Sequence, residues 1–161
     1  MSIRDFLKSQ NVWFQSFLYK PVPTASRRAH SVHVAGGQVA KSVLVRAGDG
    51  YVLAVLPATL RIDLPRLSEV LGGVPVALAT EGDMERAFPD CELGAAPPFG
   101  RLYGMKTVVD PRLGAWGEIV CVGNTRHEGI RLRFADFKGV ESPLVAFFAV
   151  EDGAEQRLRA S

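Results

Sequence analysis

The chain is poor in the residues that build covalent or metal frameworks. Among 161 residues there are two cysteines, Cys91 and Cys121, and three histidines. The cysteines form no CxxC and no Cys/His zinc spacing, so no metal site is expected. Arg4, Asp5 and Lys8 interrupt the apolar residues at the start, so no secretory leader is expected. Two reduced thiols in a cytoplasmic protein follow, rather than a disulfide. No run approaches the roughly 18 to 20 apolar residues of a membrane span, so a membrane is not an expected partner. Charge of one sign is scarce too: 19 Lys and Arg stand against 17 Asp and Glu, a net +2. That is too little to coat nucleic acid by charge alone, so any RNA contact must come from a local basic face. His30 and His33 have the spacing of a metal pair, but no carboxylate or cysteine joins them and they read as helix surface or core edge. There is no GxSxG elbow, Walker loop, GxGxxG or HExxH. A hydrolase without these must work by positioning and polarisation, or borrow a group from its substrate.

What is present is a globular composition of 47% hydrophobic and 22% charged residues, enough for one domain spanning residues 1–161. Ser2 can cap a short helix whose apolar face is Ile3, Phe6 and Leu7, with Asp5 placed for a capping box. A turn over Lys20–Pro23 precedes a second helix, from Thr24 or Ser26 to about His33, ended by Gly36-Gly37. Gln38–Val45 and Tyr51–Leu56, joined by Gly48-Asp49-Gly50, read as a hairpin that Pro57 stops. Asp63 caps a helix through Leu71, Val76–Ala79 is a short strand, and Thr80 caps a helix with Glu81 and Asp83 in its first turn. Thr107–Asp110, Glu118–Val122, Ile130–Phe134 and Leu144–Val150 are strand candidates, and the tail from Glu151 is polar. The mixture predicts an α+β fold with a mixed, mostly antiparallel, barrel-like sheet surrounded by helices.

Three places could carry chemistry. Strand alternation puts Lys41 on one face with Val39, Val43 and Val45, where an ammonium needs a partner or a solvent-filled cavity. The alternative is an edge-strand lysine reaching water. Gly94-Ala95-Ala96-Pro97-Pro98-Phe99-Gly100 is a stiff loop offering amides at its five non-proline positions, suited to close approach of a ligand; it could equally be a connection anchored by Phe99. His127, in a turn before a strand, could hold a substrate or assist a water, or be a surface histidine. Arg131 and Arg133 share a strand face, with Arg126 and Lys138 near in sequence, and Arg101 and Lys106 flank the loop; they could meet phosphates.

Taken in order, Gln38-Val39-Ala40-Lys41, Val55-Leu56-Pro57-Ala58, Phe88-Pro89-Asp90-Cys91-Glu92-Leu93-Gly94, Pro97-Pro98-Phe99-Gly100-Arg101-Leu102-Tyr103-Gly104, Val109-Asp110, His127-Glu128 and Ala135-Asp136-Phe137 resemble the YbaK/EbsC family. These are aminoacyl-tRNA deacylases related to the editing domain of bacterial prolyl-tRNA synthetase. The resemblance spans roughly residues 15–150. It implies a mixed β-barrel ringed by helices, and hydrolysis of the ester of a tRNA mischarged with a small amino acid such as Ala, Ser, Thr or Cys. It implies no cofactor and no protein nucleophile, with the substrate's own groups and a held water doing the work. The family lysine falls on Lys41, the GxxxP loop that holds the terminal adenosine on Gly94–Pro98, with Gly100 just beyond, and the histidine on His127. Two departures stand out. Asn124, Thr125 and Arg126 separate Gly123 from His127 where relatives have a compact Gly-Thr-His, and Lys20-Pro21 replaces His-Pro. The implied partner is the 3′ acceptor end of aminoacyl-tRNA, with a synthetase as a further candidate. A monomer is expected, since no long amphipathic surface helix stands out. The competing reading is a non-catalytic tRNA- or nucleotide-binding or regulatory module of the same fold.

Overall fold

The computed structural model describes residues 1–18 and 36–151. The expected turn and helix over 20–33, with Lys20-Pro21, His30 and His33, lie outside the described residues, as does the tail beyond Glu151. Helix α1 (Ile3–Ser9) starts as its sequence suggests: the Ser2 hydroxyl accepts from the Asp5 amide, and Ile3 and Leu7 are buried. Strand β1 (Phe14–Leu18) follows. After a short 3-10 turn at Gly36–Gln38 come β2 (Ala40–Ala47) and β3 (Gly50–Pro57). Their hairpin turns at Gly48, whose φ of 59° suits glycine. Pro57 is the last residue of β3 rather than a stop before it.

The chain then adds β4 (Leu60–Ile62), α2 (Leu64–Val70), β5 (Val76–Leu78) and α3 (Glu81–Ala87). Asp63 caps α2 by accepting from the Arg66 amide, and Thr80 with Asp83 forms a complete capping box on α3. Strands β6 (Lys106–Val109), β7 (Glu118–Val122) and β8 (Glu128–Arg133) follow. The residue expected to end the last of these, Phe134, instead opens helix α4 (Phe134–Glu141). The expected strand over 144–150 is two short pieces, β9 (Leu144–Val145) and β10 (Ala149–Glu151).

The α+β reading holds, with mostly antiparallel pairing, although the described strands form three sheets instead of one closed barrel. Their orders are β5-β2-β3-β6-β9, β1-β8-β7 and β10-β4. Only β3–β6 and β6–β9 pair in parallel. Among the described residues a single bridge, Val39 to Val120, links the two larger sheets.

Alternation divides the β2–β3 hairpin between two cores. Leu44, Leu53 and Val55 face Phe99, Ile119, Leu132, Phe137 and the apolar side of α1. Val45, Val52, Ala54 and Leu56 face Leu67, Phe148 and Ala149. Phe99, Phe137 and Phe148 are fully buried, each contributing about 1.5–3 kcal/mol by removal from water. A smaller cluster of Val39, Ala58 and Val120, with Phe17 against it, fills the junction at the bridge.

Candidate active site

The Gly94–Gly100 loop is built into the protein at both ends. On its near side the Glu92 amide donates to the Asn124 carbonyl (3.0 Å) and the Arg126 amide to the Glu92 carboxylate (3.0 Å). These bonds dock the β7–β8 turn, which carries His127, against the entry to the loop. On its far side the Gly100 amide donates to the Thr107 hydroxyl (3.1 Å), and that hydroxyl donates to Glu141 Oε1 (2.7 Å). The same oxygen accepts from the Arg101 amide at 2.9 Å. Phe99 is clamped edge-on between Phe6 and Phe137, with ring centroids 5.8 and 5.4 Å away.

The loop is therefore less exposed than its composition suggests. Gly94 is at the surface with φ 80°, but Ala95 to Gly100 are buried. Two of the five expected amides are spent inside the protein, Ala95 on the Glu92 carbonyl and Gly100 on Thr107. Among the described residues, the amides of Gly94, Ala96 and Phe99 have no acceptor. Buried amides without acceptors are rare in folded chains, which sets Ala96 and Phe99 apart from the other loop positions.

Lys41 is half-buried on β2, opposite Leu56 of β3. Its ammonium donates to the Leu60 carbonyl at 2.6 Å. It meets the expectation of a partnered cation on the Val43–Val45 face, away from the sheet face that packs on Ala96 and Phe99. The described contacts do not join Lys41 to the loop. His127 is exposed in its turn, held near the loop by its neighbours' bonds and making none of its own among the described residues.

Cys91, Tyr103, Asp90 and Asn124 form a polar cluster at the loop's entry. Tyr103 donates to Asp90 (2.8 Å) and lies 3.2 Å from the Cys91 sulfur, while the Asn124 amide reaches both Cys91 (3.4 Å) and Tyr103 (3.3 Å). Asn124 also accepts from the Ile3 amide at 2.9 Å, tying α1 to the turn. Burial pushes the Cys91 thiol up, and pushes the fully buried Cys121 thiol to about 12. Neither is a thiolate nucleophile at neutral pH, and both are free of a disulfide. Burial also raises the Glu141 carboxyl, against the lowering hydrogen bonds from Thr107 and the Arg101 amide. Its Oε2 is buried with no hydrogen-bond partner.

Sequence reasoning did not find Thr107, Asn124 or Glu141, since each acts through residues distant in the chain; only Gly123-Asn124, a turn pair, hinted at the positive φ of 70° at Asn124. Of the basic residues, Arg101 binds the Val140 carbonyl and Arg133 pairs with Asp136. Arg131 differs, with a buried Nε that donates to nothing. Among the described residues no group of three His, Cys, Asp or Glu could hold a metal, and no helix is long and apolar enough to cross a membrane.

Known proteins agree with this architecture. A solved structure of a proposed trans-editing enzyme for prolyl-tRNA synthetase superposes with a TM-score of 0.80 at 20% identity, covering 92% of this chain and 94% of its own. The hypothetical protein APE2540 superposes at 0.84 with 19% identity, covering 92% and 99%. At such identities the likeness concerns the fold. The Escherichia coli (strain K12) protein named multifunctional Ser/Thr-tRNA deacylase ProXp-y is 31% identical over 117 residues, 70% of each chain. The family model of the aminoacyl-tRNA editing domain matches residues 19–140, which include Lys41, the Gly94–Gly100 loop and His127. By sequence and by fold, then, the chain belongs to the aminoacyl-tRNA editing domain family.

Proposed function

We propose that this chain is a free-standing aminoacyl-tRNA deacylase, a hydrolase that cleaves the ester between a small, wrongly attached amino acid and the 3′ end of a tRNA. The observation that carries the reading is the loop: a buried, doubly anchored segment whose Ala96 and Phe99 amides lack acceptors, in a chain of the editing family. Donors fixed before the reaction stabilise charge developing on a carbonyl oxygen without reorganising. Gly94 to Pro98 and Gly100 receive the terminal adenosine and the ester. Lys41, at the start of β2 beside the Leu60 carbonyl, neutralises a nearby phosphate and orients the end, and His127 stands at the loop's entry to hold substrate or a water. No cysteine serves as nucleophile, so the attacking group is a water activated in part by the substrate.

The Ser/Thr-tRNA deacylase named among the relatives supports serine and threonine as first candidates, with alanine and cysteine next. A single methylene in a pocket is worth only about 1–3 kcal/mol, so discrimination among these rests on small features. The whole chain, residues 1–161, is read as one editing domain, acting in the cytoplasm as a monomer on the acceptor end, alone or beside a synthetase.

The test is a deacylation screen of the purified protein against correctly and incorrectly charged tRNAs. One or a few small amino acids should be lost faster than in buffer. Lys41→Ala should lower single-turnover hydrolysis about a hundred- to a thousandfold. A folded Lys41→Ala variant at the wild-type rate would remove the lysine's role and leave the deacylase standing. No acceleration across the panel would overturn the deacylase, and tight binding of charged tRNA in that case would establish a binding module.

A further inference from the structure

The three-stranded sheet has one face in the main core, while the other is covered at Val120 by the junction cluster and open toward Trp13. Along β8, Ile130 and Leu132 are fully buried, so Arg131 and Arg133 point the other way. The register sets Gln15 and Val120 opposite Arg131, and Glu118 opposite Arg133. Trp13, Trp116, Gly117, Glu118 and Arg133 line a cleft of about 620 Å³ on this face. Both indoles are more than half exposed, at 53% and 56%. A monomeric protein rarely leaves its large aromatics bare and adjacent without a use for them.

We propose that this face binds an unpaired nucleotide of the substrate's acceptor strand, with its phosphate on Arg131 and its base between Trp13 and Trp116. The proposal rests on the reading of aminoacyl-tRNA as the substrate. Arg131 is a permanent cation. Its Nε is buried and donates to nothing, while Arg133 on the same face is paired with Asp136. A half-buried guanidinium whose Nε lacks an acceptor is complementary to an oxyanion that can take several of its donors at once. The aromatic pair, farther along the same face in the cleft that Arg133 lines, selects among oxyanions. A nucleotide joins a flat ring to a phosphate, and aromatic side chains hold unpaired bases by stacking. Glu118 sets the orientation: a carboxylate in the cleft disfavours phosphate there but can accept from an exocyclic amine of a base.

The face also leads to the site already described. The Trp116 ring lies so close to Gly37 that a Cβ there would sit 2.8 Å from a ring carbon. Val39 is bridged to Val120, the cross-strand neighbour of Arg131, and Lys41 follows two residues later. The cleft, Arg131 and the start of β2 are thus neighbours on one side of the sheet, with the buried Val39 and Val120 packed between them.

Trp13 and Trp116 are the two tryptophans of the chain, so tryptophan fluorescence, excited at the red edge where tyrosine does not absorb, reports on this cleft. An uncharged single-stranded RNA tetranucleotide should quench it saturably. Arg131→Gln should weaken that binding about tenfold and flatten its salt dependence by about one phosphate contact. With mischarged tRNA the same variant should raise KM more than it lowers kcat. Trp13→Leu and Trp116→Leu should each lose part of the quenching and weaken binding. Should Arg131→Gln fail to fold, Arg131→Lys keeps the charge without the fork and should bind with intermediate affinity. Fluorescence unmoved by RNA in an enzyme that still hydrolyses mischarged tRNA would overturn the nucleotide site and spare the deacylase. Quenching that depends on Arg131, without hydrolysis, would sustain the site and overturn the deacylase. Wild-type affinity and salt dependence in a folded Arg131→Gln or Arg131→Lys variant would also refute the assignment.

Discussion

Gly100 has no room for a side chain. A Cβ there would lie 2.7 Å from the Thr107 hydroxyl, 2.9 Å from the Met105 side chain and 3.3 Å from Leu53. Its amide is also the donor that fastens the loop to Thr107. Gly100→Ala should therefore destabilise the fold by about 1–3 kcal/mol, the usual cost of overpacking, and lower deacylation as the loop shifts. Gly50→Ala is the control, because nothing lies within 4 Å of its Cβ position. Chemical denaturation separates the two, and equal stabilities would remove this account of Gly100. The residues that could be read from sequence were those whose chemistry is local. The Ser2, Asp63 and Thr80 caps and the glycine of the hairpin turn follow from short-range hydrogen bonds and φ preferences. The partners of Gly100 could not be read, because Thr107 and Glu141 reach it only through tertiary packing.

Among the elements, α4 shows where pattern fails. No cap announces it: Arg133 occupies the N-cap position without a side-chain bond, and strand β8 runs straight into the helix. The helical signal lies in Phe134, Phe137 and Glu141, which are buried at three- and four-residue spacing, and a strand reading of Phe134 hid it. The split of the last strand has a different cause. The amides of Phe148 and Ala149 donate to the Asp110 carboxylate, at 3.2 and 3.1 Å, and the chain leaves β6 for β4. Helix α4 reaches the far end of the Gly94–Gly100 loop through Glu141. Its carboxyl is raised in the folded state, so whatever stability it adds is complete below the ordinary glutamate value and is lost as pH rises through the raised one. Glu141→Gln keeps the acceptor for Thr107 and Arg101 but cannot ionise. The stability difference between wild type and variant should therefore shift in favour of the variant as pH rises from acid to neutral, followed by urea denaturation across that range. A parallel pH dependence in both proteins would mean that Glu141 does not titrate as described.

Across the whole molecule, two buried carboxylates hold distant parts together. Asp83 accepts from Tyr51 (2.7 Å), Arg46 (3.2 Å) and Arg86 (2.6 Å), binding α3 to the β2–β3 hairpin. Asp110 accepts from Arg112 at 2.7 Å as well as from the two amides of the β10 approach. The Tyr51 hydroxyl and the Thr80 amide hold Asp83 well below the usual carboxylate range, despite its burial. Burial alone would raise Asp110, but its bonds to Arg112, Ala149 and Phe148 outweigh that and lower it. Groups lowered on folding stabilise above their unfolded values, and that contribution disappears as pH falls through the folded ones. Melting temperature should accordingly fall steeply in acid, and less steeply in Asp83→Asn and Asp110→Asn, which begin from a lower value at neutral pH. An acid limb unchanged in both variants would assign the loss to other groups.

The Gly94–Gly100 loop, finally, is finished before any substrate arrives. Two prolines restrict its backbone, Phe99 is fixed between two rings, and both ends are hydrogen-bonded to other elements. The ordering entropy of this segment is thus settled during folding and is not charged again at each encounter. On the proposed function, the tRNA end, a mobile single strand, would bring nearly all the disorder that binding must remove. Selection between a right and a wrong amino acid at the proposed site would then take place against a rigid template, where a misfit is not relieved by the loop rearranging around it.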